Sequence, residues 1–576
     1  MEHMDYDLRS VQEVRDLARQ GQIATEQIAK YSQEQVDRIV LNMVRVAQEN
    51  AVSLAKMAVE ETGFGKVEDK TYKNHLASAV LWESIKDMKT CDIIGEDPVN
   101  KIIEVADPVG LLMGIIPSTN PTSTTIFKCI IAIKSRNAIV IAPHPSAVKC
   151  TSRAAELMLQ AAVEAGAPAN IIGCITKTTM PATNELMHSD EVKMIIATGG
   201  PGMVKAAYSA GKPALGVGAG NSPAYIERTA NVQQAVTNIM TSKTFDNGTI
   251  CASEQSIICE QCNKDAVIAE FKRQGGYFMT PEETDKVCKL LFKNGHAMNA
   301  KFVGRAADVI AAAAGFSVPA GTRVLIGAQN GVGEGNPLSY EKLTTVLGFY
   351  VVNDWHEACE LSIQLLQNGI GHTMSLHTED RNIVLEFTKK PASRIMVNTG
   401  STMGGVGAST SLAPSFTLGC GTMGGSSISE NVTPLHLINR KKVAYGIKDV
   451  TRLAADDPTF NYPELAGIQS AAHTAPQMAA SSCGRPVPVP PAPATVNATV
   501  GSRYLSPAEY QNAGSAAPAP CAPCAPQPVN LDAAITPQAA APAIGCGCCS
   551  QLSDTPLSVE DLTDMINALV KEMRGE

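Results

Sequence analysis

From about residue 100 onward, short apolar runs alternate with stretches of helical spacing, and this alternation restricts the chain to a small set of folds. The runs 110–116 (GLLMGII), 138–142 (AIVIA) and 192–197 (VKMIIA) have the length of buried strands. Strands separated by helices predict an α/β fold with a largely parallel sheet. Residues 6 to 90 read as helical, with Ile39, Val40, Met43, Val44 and Val46 at helical spacing among charged residues. A second α/β segment is expected over about 246–415.

Beyond about 465 the pattern stops. The stretch 466–553 is dominated by Ala and Pro, as in Pro486–Pro491 and Ala516–Pro520, and is sparse in charges and large apolar side chains. Such a segment buries too little surface to offset its ordering entropy, so a flexible, partly extended linker is expected, with a small island at 502–510. Order should resume in 554–576. Ser558 can cap a helix with Asp561 three residues on; Val559, Leu562, Met565, Ile566, Leu569, Val570 and Met573 then share one face.

Charge and apolar content narrow the function classes. A net charge of -9 argues against nucleic acid or an anionic membrane as the main partner. No apolar run is long enough to span a bilayer, and the start Met1–Asp5 lacks the pattern of a signal peptide, so a cytoplasmic location is expected. The 16 cysteines are therefore read as reduced thiols. Ten lie in the first 450 residues; Cys483, Cys521, Cys524, Cys546, Cys548 and Cys549 crowd the tail. Cys259 and Cys262 are read as a strand and its turn. For the tail thiols, reversible oxidation or no role ranks above metal binding, so no metal site is assigned.

The most informative segment is Asn247–Gln255 (NGTICASEQ). A cysteine is a good nucleophile towards an aldehyde because its thiolate is intrinsically reactive and reached at moderate pH. A buried structural thiol is the alternative. Three other blocks accompany this one: 114–123 (GIIPSTNPTS), 216–223 (GVGAGNSP) and 415–425 (SFTLGCGTMGG).

In this order and at these separations, the four blocks resemble the CoA-acylating branch of the aldehyde dehydrogenase superfamily, including the aldehyde dehydrogenase half of bifunctional enzymes. The resemblance covers roughly residues 6 to 450. It implies an α/β aldehyde dehydrogenase-like fold: N-terminal helices and a Rossmann-type cofactor domain over 1–245, with a return segment near 416–450, and a catalytic domain over 246–415. No iron-binding alcohol dehydrogenase half follows, so a monofunctional chain is expected.

The resemblance makes Cys251 the nucleophile. It makes Asn120 an oxyanion-hole donor together with the Cys251 amide, a role typically worth ~3 kcal/mol in the transition state. A turn role for Asn120 before Pro121 is compatible with this. Hydrolytic members carry a water-activating Glu where this chain has Val217, 34 residues ahead of Cys251. Without a positioned base, water is a poor acceptor at neutral pH, and a thiol is better. The expected acceptor of the acyl group is therefore coenzyme A. The alternative is that Val217 is merely core and another carboxylate does the work. His372, in a block typical of the acylating branch, could orient the thiol or thioester, or serve as a structural histidine in a turn.

For the dinucleotide, Thr198, Gly199 and Gly200 match the family's cofactor loop, in which glycines let the backbone approach a pyrophosphate at a helix start. Glu341 matches a carboxylate that binds the nicotinamide ribose, with a solvated surface charge as the alternative. Pro143 and His144 stand where the family has a Lys-Pro pair. The resemblance implies NAD, and His144 leaves NADP open. The expected reaction is reversible oxidation of acetaldehyde or propionaldehyde to acyl-CoA. A homo-oligomer is expected. The tether and terminal helix resemble encapsulation peptides, which implies shell proteins of a bacterial microcompartment as partners of 554–576; an ordinary C-terminal helix is the alternative. The competing functions are a hydrolytic aldehyde dehydrogenase and a catalytically idle scaffold.

Overall fold

The computed structural model describes residues 5–457. The linker at 466–553, the island at 502–510, the helix at 554–576 and the six tail cysteines lie outside the described residues.

The N-terminal region is helical, as its periodicity predicts. Helix Tyr6–Ile28 buries Ser10, Val14, Ala18, Gly21, Thr25 and Ile28 along one stripe. Gly21 is there because the helix touches the first sheet: an added Cβ would lie 2.6 Å from Leu111 Cδ1. Helix Gln33–Glu49 opens with a capping box between Ser32 and Gln35 and buries Val36, Ile39, Val40, Met43 and Val44.

Strands β1 (Asp92–Asp97) and β2 (Ile102–Pro108) form an antiparallel ribbon. Strands β3 (Leu111–Ile115), β4 (Ile139–Ala142), β5 (Ile172–Cys174), β6 (Val192–Thr198) and β7 (Ala214–Val217) make a parallel sheet in the order β5-β4-β3-β6-β7. The chain reverses its direction of travel across this sheet between β3 and β6. In an open α/β sheet, that switch leaves a crevice beyond the carboxyl ends of the two strands. The crevice receives the segments after Ile115 and after Thr198, which carry Asn120 and Gly199-Gly200.

A seven-stranded parallel sheet follows. It contains β8 (Ser222–Ile226), β9 (Glu254–Glu260) and β10 (Gly276–Phe278). After a short hairpin, β11 (Phe292–Lys293) with β12 (Ala297–Met298), come β13 (Val324–Ala328), β14 (Val346–Val352), β15 (Gly371–His377) and β16 (Ala392–Val397). The order is β10-β13-β14-β9-β8-β15-β16. Side chains alternate between its faces: Ala224, Ile226, Ile257 and Phe349 enter one core cluster, while Tyr225, Ile258 and Tyr350 enter the other. Strand β17 (Ile438–Ala444) returns to pair with β2, and Phe416, Leu418, Cys420 and Leu437 pack into the core of the first sheet.

The boundary between the two sheets corrects the expected division at 245. Strand β8 pairs with β9 and β15, and helix Val232–Thr244 covers the second sheet, so the change of sheet falls between Val217 and Ser222. Cys259 lies on β9 and Cys262 in the turn after it.

Candidate active site

Cys251 follows a turn that few sequences tolerate. Asp246, Asn247 and Gly248 all take positive φ, at 48°, 51° and 77°. For a non-glycine residue this conformation costs on the order of 1–3 kcal/mol and persists only when its surroundings over-determine it. They do so here. The buried Asp246 carboxylate receives the Lys66 N–H at 2.8 Å, Lys70 Nζ at 2.8 Å, Thr249 Oγ1 at 2.6 Å and Lys73 Nζ. Asn247 Nδ2 donates to Gly304 O at 3.0 Å. The two lysines hold the Asp246 carboxyl below its ordinary range against the opposing effect of burial. Gly65 makes room for the carboxylate, since a Cβ there would lie 1.8 Å from Asp246 Oδ1.

The same lysines reach Asn120, the residue preceding the buried helix Pro121–Lys134. Lys73 Nζ donates to Asn120 Oδ1 at 2.6 Å, and Lys70 Nζ donates to Thr119 O at 2.9 Å. A lysine only donates when charged, so the amide oxygen must face Lys73 and the NH2 must face the turn before Cys251. Asn120 Nδ2 indeed donates to Thr249 O at 3.1 Å. Burial lowers Lys73 to about 8 while Asp246 opposes that shift, leaving the amine mostly charged at neutral pH. Lys70, Lys73 and Asp246 were not expected from sequence. The available signal was Asp246 immediately before the Asn247–Gln255 block and two lysines three residues apart on one helix.

Cys251 Sγ lies 3.2 Å from His372 Nε2. His372 is fully buried at the start of β15, and its Nδ1 lies 2.8 Å from Thr373 Oγ1. Arg394 Nε donates to Thr373 Oγ1 at 3.2 Å, and Arg394 Nη2 donates to His372 O at 3.1 Å. Burial, reinforced by Arg394, pushes the imidazole well below its ordinary range. The thiol is not the readily ionised group that sequence reasoning anticipates. Burial first, then the Glu341 charge, pushes Cys251 up to about 12, with Arg394 opposing. At neutral pH the pair is thus a neutral thiol beside a neutral imidazole, and the sulfur needs help to carry negative charge.

Cys251 and Asn120 line a cavity of about 720 Å³ together with Pro143, His144, Thr198, Gly199, Gly200, Val217 and Glu341. The structure thereby gathers every expected site residue except His372, which reaches the sulfur through the hydrogen bond above. Val217 ends β7 beside Thr198 on β6. Glu341 is the sole carboxylate among the described residues lining the cavity. It accepts the Gly220 N–H at 3.1 Å, and burial pushes it up to about 7. Gly220 separates Glu341 from the nucleophile segment so tightly that a Cβ would sit 1.8 Å from Cys251 O.

The other end of the cavity fits a dinucleotide. Helix Pro201–Ser209 starts at its wall, and a Cβ built on Gly199, Gly200 or Gly202 meets nothing within 4 Å. Bare backbone therefore faces open space at a helix N-terminus, where amide groups and the helix dipole favour a phosphate. His144 Nδ1 accepts the Ser146 N–H at 3.2 Å, which leaves Nε2 for other contacts. Among the described residues there is no helix long and apolar enough to cross a membrane and no group of three or more His, Cys, Asp or Glu able to hold a metal ion.

Comparison with known proteins agrees with this arrangement. A model described as the aldehyde dehydrogenase family matches residues 3–281. Over 442 residues the chain is 47% identical to the bifunctional aldehyde-alcohol dehydrogenase of Escherichia coli K12, covering 76% of this chain and 50% of that protein. The chain thus spans about half the length of the curated relatives it matches first. Among solved structures, an acetylating aldehyde dehydrogenase from Geobacillus thermoglucosidasius is 52% identical with a TM-score of 0.76, covering 77% of this chain and 99% of that one. A propionaldehyde dehydrogenase from the Clostridium phytofermentans fucose utilisation bacterial microcompartment is 26% identical with a TM-score of 0.69, covering 76% and 99%.

Proposed function

This chain belongs to the aldehyde dehydrogenase family, and we propose that it oxidises a short-chain aldehyde to acyl-CoA through a thioester on Cys251. The observation that carries the acylating reading is the occupant of the cavity wall. Val217 lines the space shared with Cys251, and the nearby Glu341 is already engaged by Gly220.

In this reading the Cys251 thiol releases its proton to solvent, and the resulting thiolate attacks the aldehyde carbon. Asn120 Nδ2 and the Cys251 amide stabilise the oxygen that becomes negative, in the water-poor setting where such donors act most strongly. NAD, when bound, supplies the hydride acceptor. Gly199, Gly200 and the start of helix Pro201–Ser209 would hold its phosphates, Glu341 would take the nicotinamide ribose, and Pro143 with His144 the adenosine ribose. The acyl group then passes to coenzyme A: its thiol gives up a proton to solvent and attacks as the thiolate, and Cys251 sulfur leaves as a thiolate. Each step is reversible, so acyl-CoA reduction uses the same site.

Acetaldehyde and propionaldehyde are the proposed substrates, and the protein is read as a homo-oligomer. The segment 554–576 is proposed to dock on microcompartment shell proteins, a reading supported by its amphipathic spacing and by the microcompartment origin of one structural relative. Deleting 554–576 should leave soluble activity intact and abolish co-sedimentation with shells; unchanged co-sedimentation counts against docking. Product analysis with C2–C4 aldehydes, with and without CoA, tests the reaction. Acyl-CoA as the main product is expected, and rapid free-acid formation without CoA supports the hydrolytic alternative, with Glu341 as its candidate base.

A further inference from the structure

The contacts behind His372 specify more than its position. Thr373 is fully buried, and among the described residues its hydroxyl has two hydrogen-bond partners, Arg394 Nε and His372 Nδ1. Arg394 can only donate, so it occupies an acceptor site on Thr373 Oγ1. The hydroxyl proton is left to point at His372 Nδ1. Were Nδ1 protonated instead, two N–H groups would converge on one oxygen and a buried hydroxyl proton would lose its acceptor. An unmet buried donor is expensive, which sets the direction of the chain of donors.

We infer that Thr373, clamped by Arg394, fixes His372 in the tautomer with its proton on Nε2, so that the imidazole meets the Cys251 sulfur as a hydrogen-bond donor and not as its base. This deepens the proposed function and rests on Cys251 being its nucleophile. The donor chain Arg394–Thr373–His372–Cys251 runs entirely towards the sulfur. Once the thiol proton has passed to solvent, it steadies negative charge on the sulfur before attack on the aldehyde and again when the acyl group departs. Arg394 is further anchored by donation to Gly419 O at 2.7 Å and to Ser429 O at 3.2 Å, so the chain begins from a fixed cation. The charged or titratable groups facing the sulfur are His372, Arg394, Glu341 and Cys420. Thr373 and Arg394 act through His372 and are positioning residues.

Replacing Thr373 by the near-isosteric Val removes the director while keeping the packing. Imidazole can then accept from the uncharged thiol, which favours the thiol over the thiolate. Alkylation of Cys251 by iodoacetamide at pH 8 should slow by about five- to tenfold in Thr373→Val, the loss of one directed hydrogen bond. Thr373→Ser should restore the wild-type rate. An unchanged rate in Thr373→Val, or an equal fall in Thr373→Ser, overturns the inference. The wild-type tautomer is read independently in 15N-histidine-labelled protein, with His372 assigned by the resonance lost in His372→Gln. A protonated, pyrrole-like Nε2 and an unprotonated Nδ1 are expected; the reverse pattern overturns the inference whether or not the variants fold. If Cys251→Ser is labelled as fast as the wild type, the nucleophile assignment fails instead, and the nitrogen spectrum still decides the tautomer.

Discussion

Lys73 Nζ lies 2.6 Å from Asn120 Oδ1, and this contact decides which end of the Asn120 amide faces the turn leading to Cys251. The cation is itself fixed by Asp246, the residue that over-determines that turn. One ion pair thus sets both the nucleophile's backbone and the orientation of the proposed oxyanion donor.

Asn120→Ala should lower kcat by about 10²–10³-fold, as for other oxyanion-hole donors. Lys73→Met should lower kcat by about 10-fold or more with a smaller change in KM. The double variant should be no slower than Asn120→Ala, because Lys73 acts through Asn120. Steady-state kinetics of the three variants checks this, and multiplied losses would separate the two residues.

Two glycines of the site, Gly220 and Gly200, should respond in opposite ways. Gly220→Ala drives a Cβ into Cys251 O, so backbone must move; a stability loss of about 1–3 kcal/mol and near-complete loss of turnover are expected. Gly200 has φ -64° and ψ 156°, which alanine adopts readily, and its Cβ meets nothing. Gly200→Ala should fold as well as the wild type and raise the KM for the dinucleotide several-fold. Thermal melting and dinucleotide titration distinguish the pair.

Glu341 makes stability fall with pH over a definable window. In the folded protein it keeps its proton until about pH 7, whereas in the unfolded chain it releases it near its ordinary value of 4.5. Between those values the folded state binds more protons, so raising the pH destabilises it, and the loss is complete above about pH 7. Glu341→Gln, which can still accept from Gly220, should melt at temperatures less dependent on pH between 5 and 8. Parallel melting curves for the two proteins would remove Glu341 as the cause.

The same carboxylate opposes ionisation of the thiol. Wild-type alkylation of Cys251 should rise with pH up to at least pH 9 without a plateau, because the thiol is pushed up to about 12. Glu341→Gln should accelerate alkylation at pH 8, since it removes a negative charge facing the sulfur. A plateau near pH 7 in the wild type would mean that the sulfur is far better stabilised than its burial allows.

Short contiguous blocks made much of this legible in the sequence. Cys251, Asn120 and Val217 each sit in a run whose spacing survives without any three-dimensional information, and the alternation of strands and helices announced the parallel sheets. The supports of the site were not legible in the same way. Lys73 and Asp246 are 173 residues apart, and Thr373 and Arg394 meet only because β15 pairs with β16. Apolar periodicity identifies β8 as a strand but does not say which sheet it joins, which is why the expected boundary at 245 lay too late. Residue type made Cys251 look easily ionised; the cavity that buries it reverses that expectation.

The acyl group on Cys251 is expected to wait for a thiol, because no base activates water at Val217. Pre-steady-state mixing of enzyme, NAD and propionaldehyde without CoA reads this out. A burst of about one NADH per site followed by a slow phase is expected, with CoA restoring rapid turnover to acyl-CoA. Sustained rapid NADH formation with free propionate in the absence of CoA would contradict it.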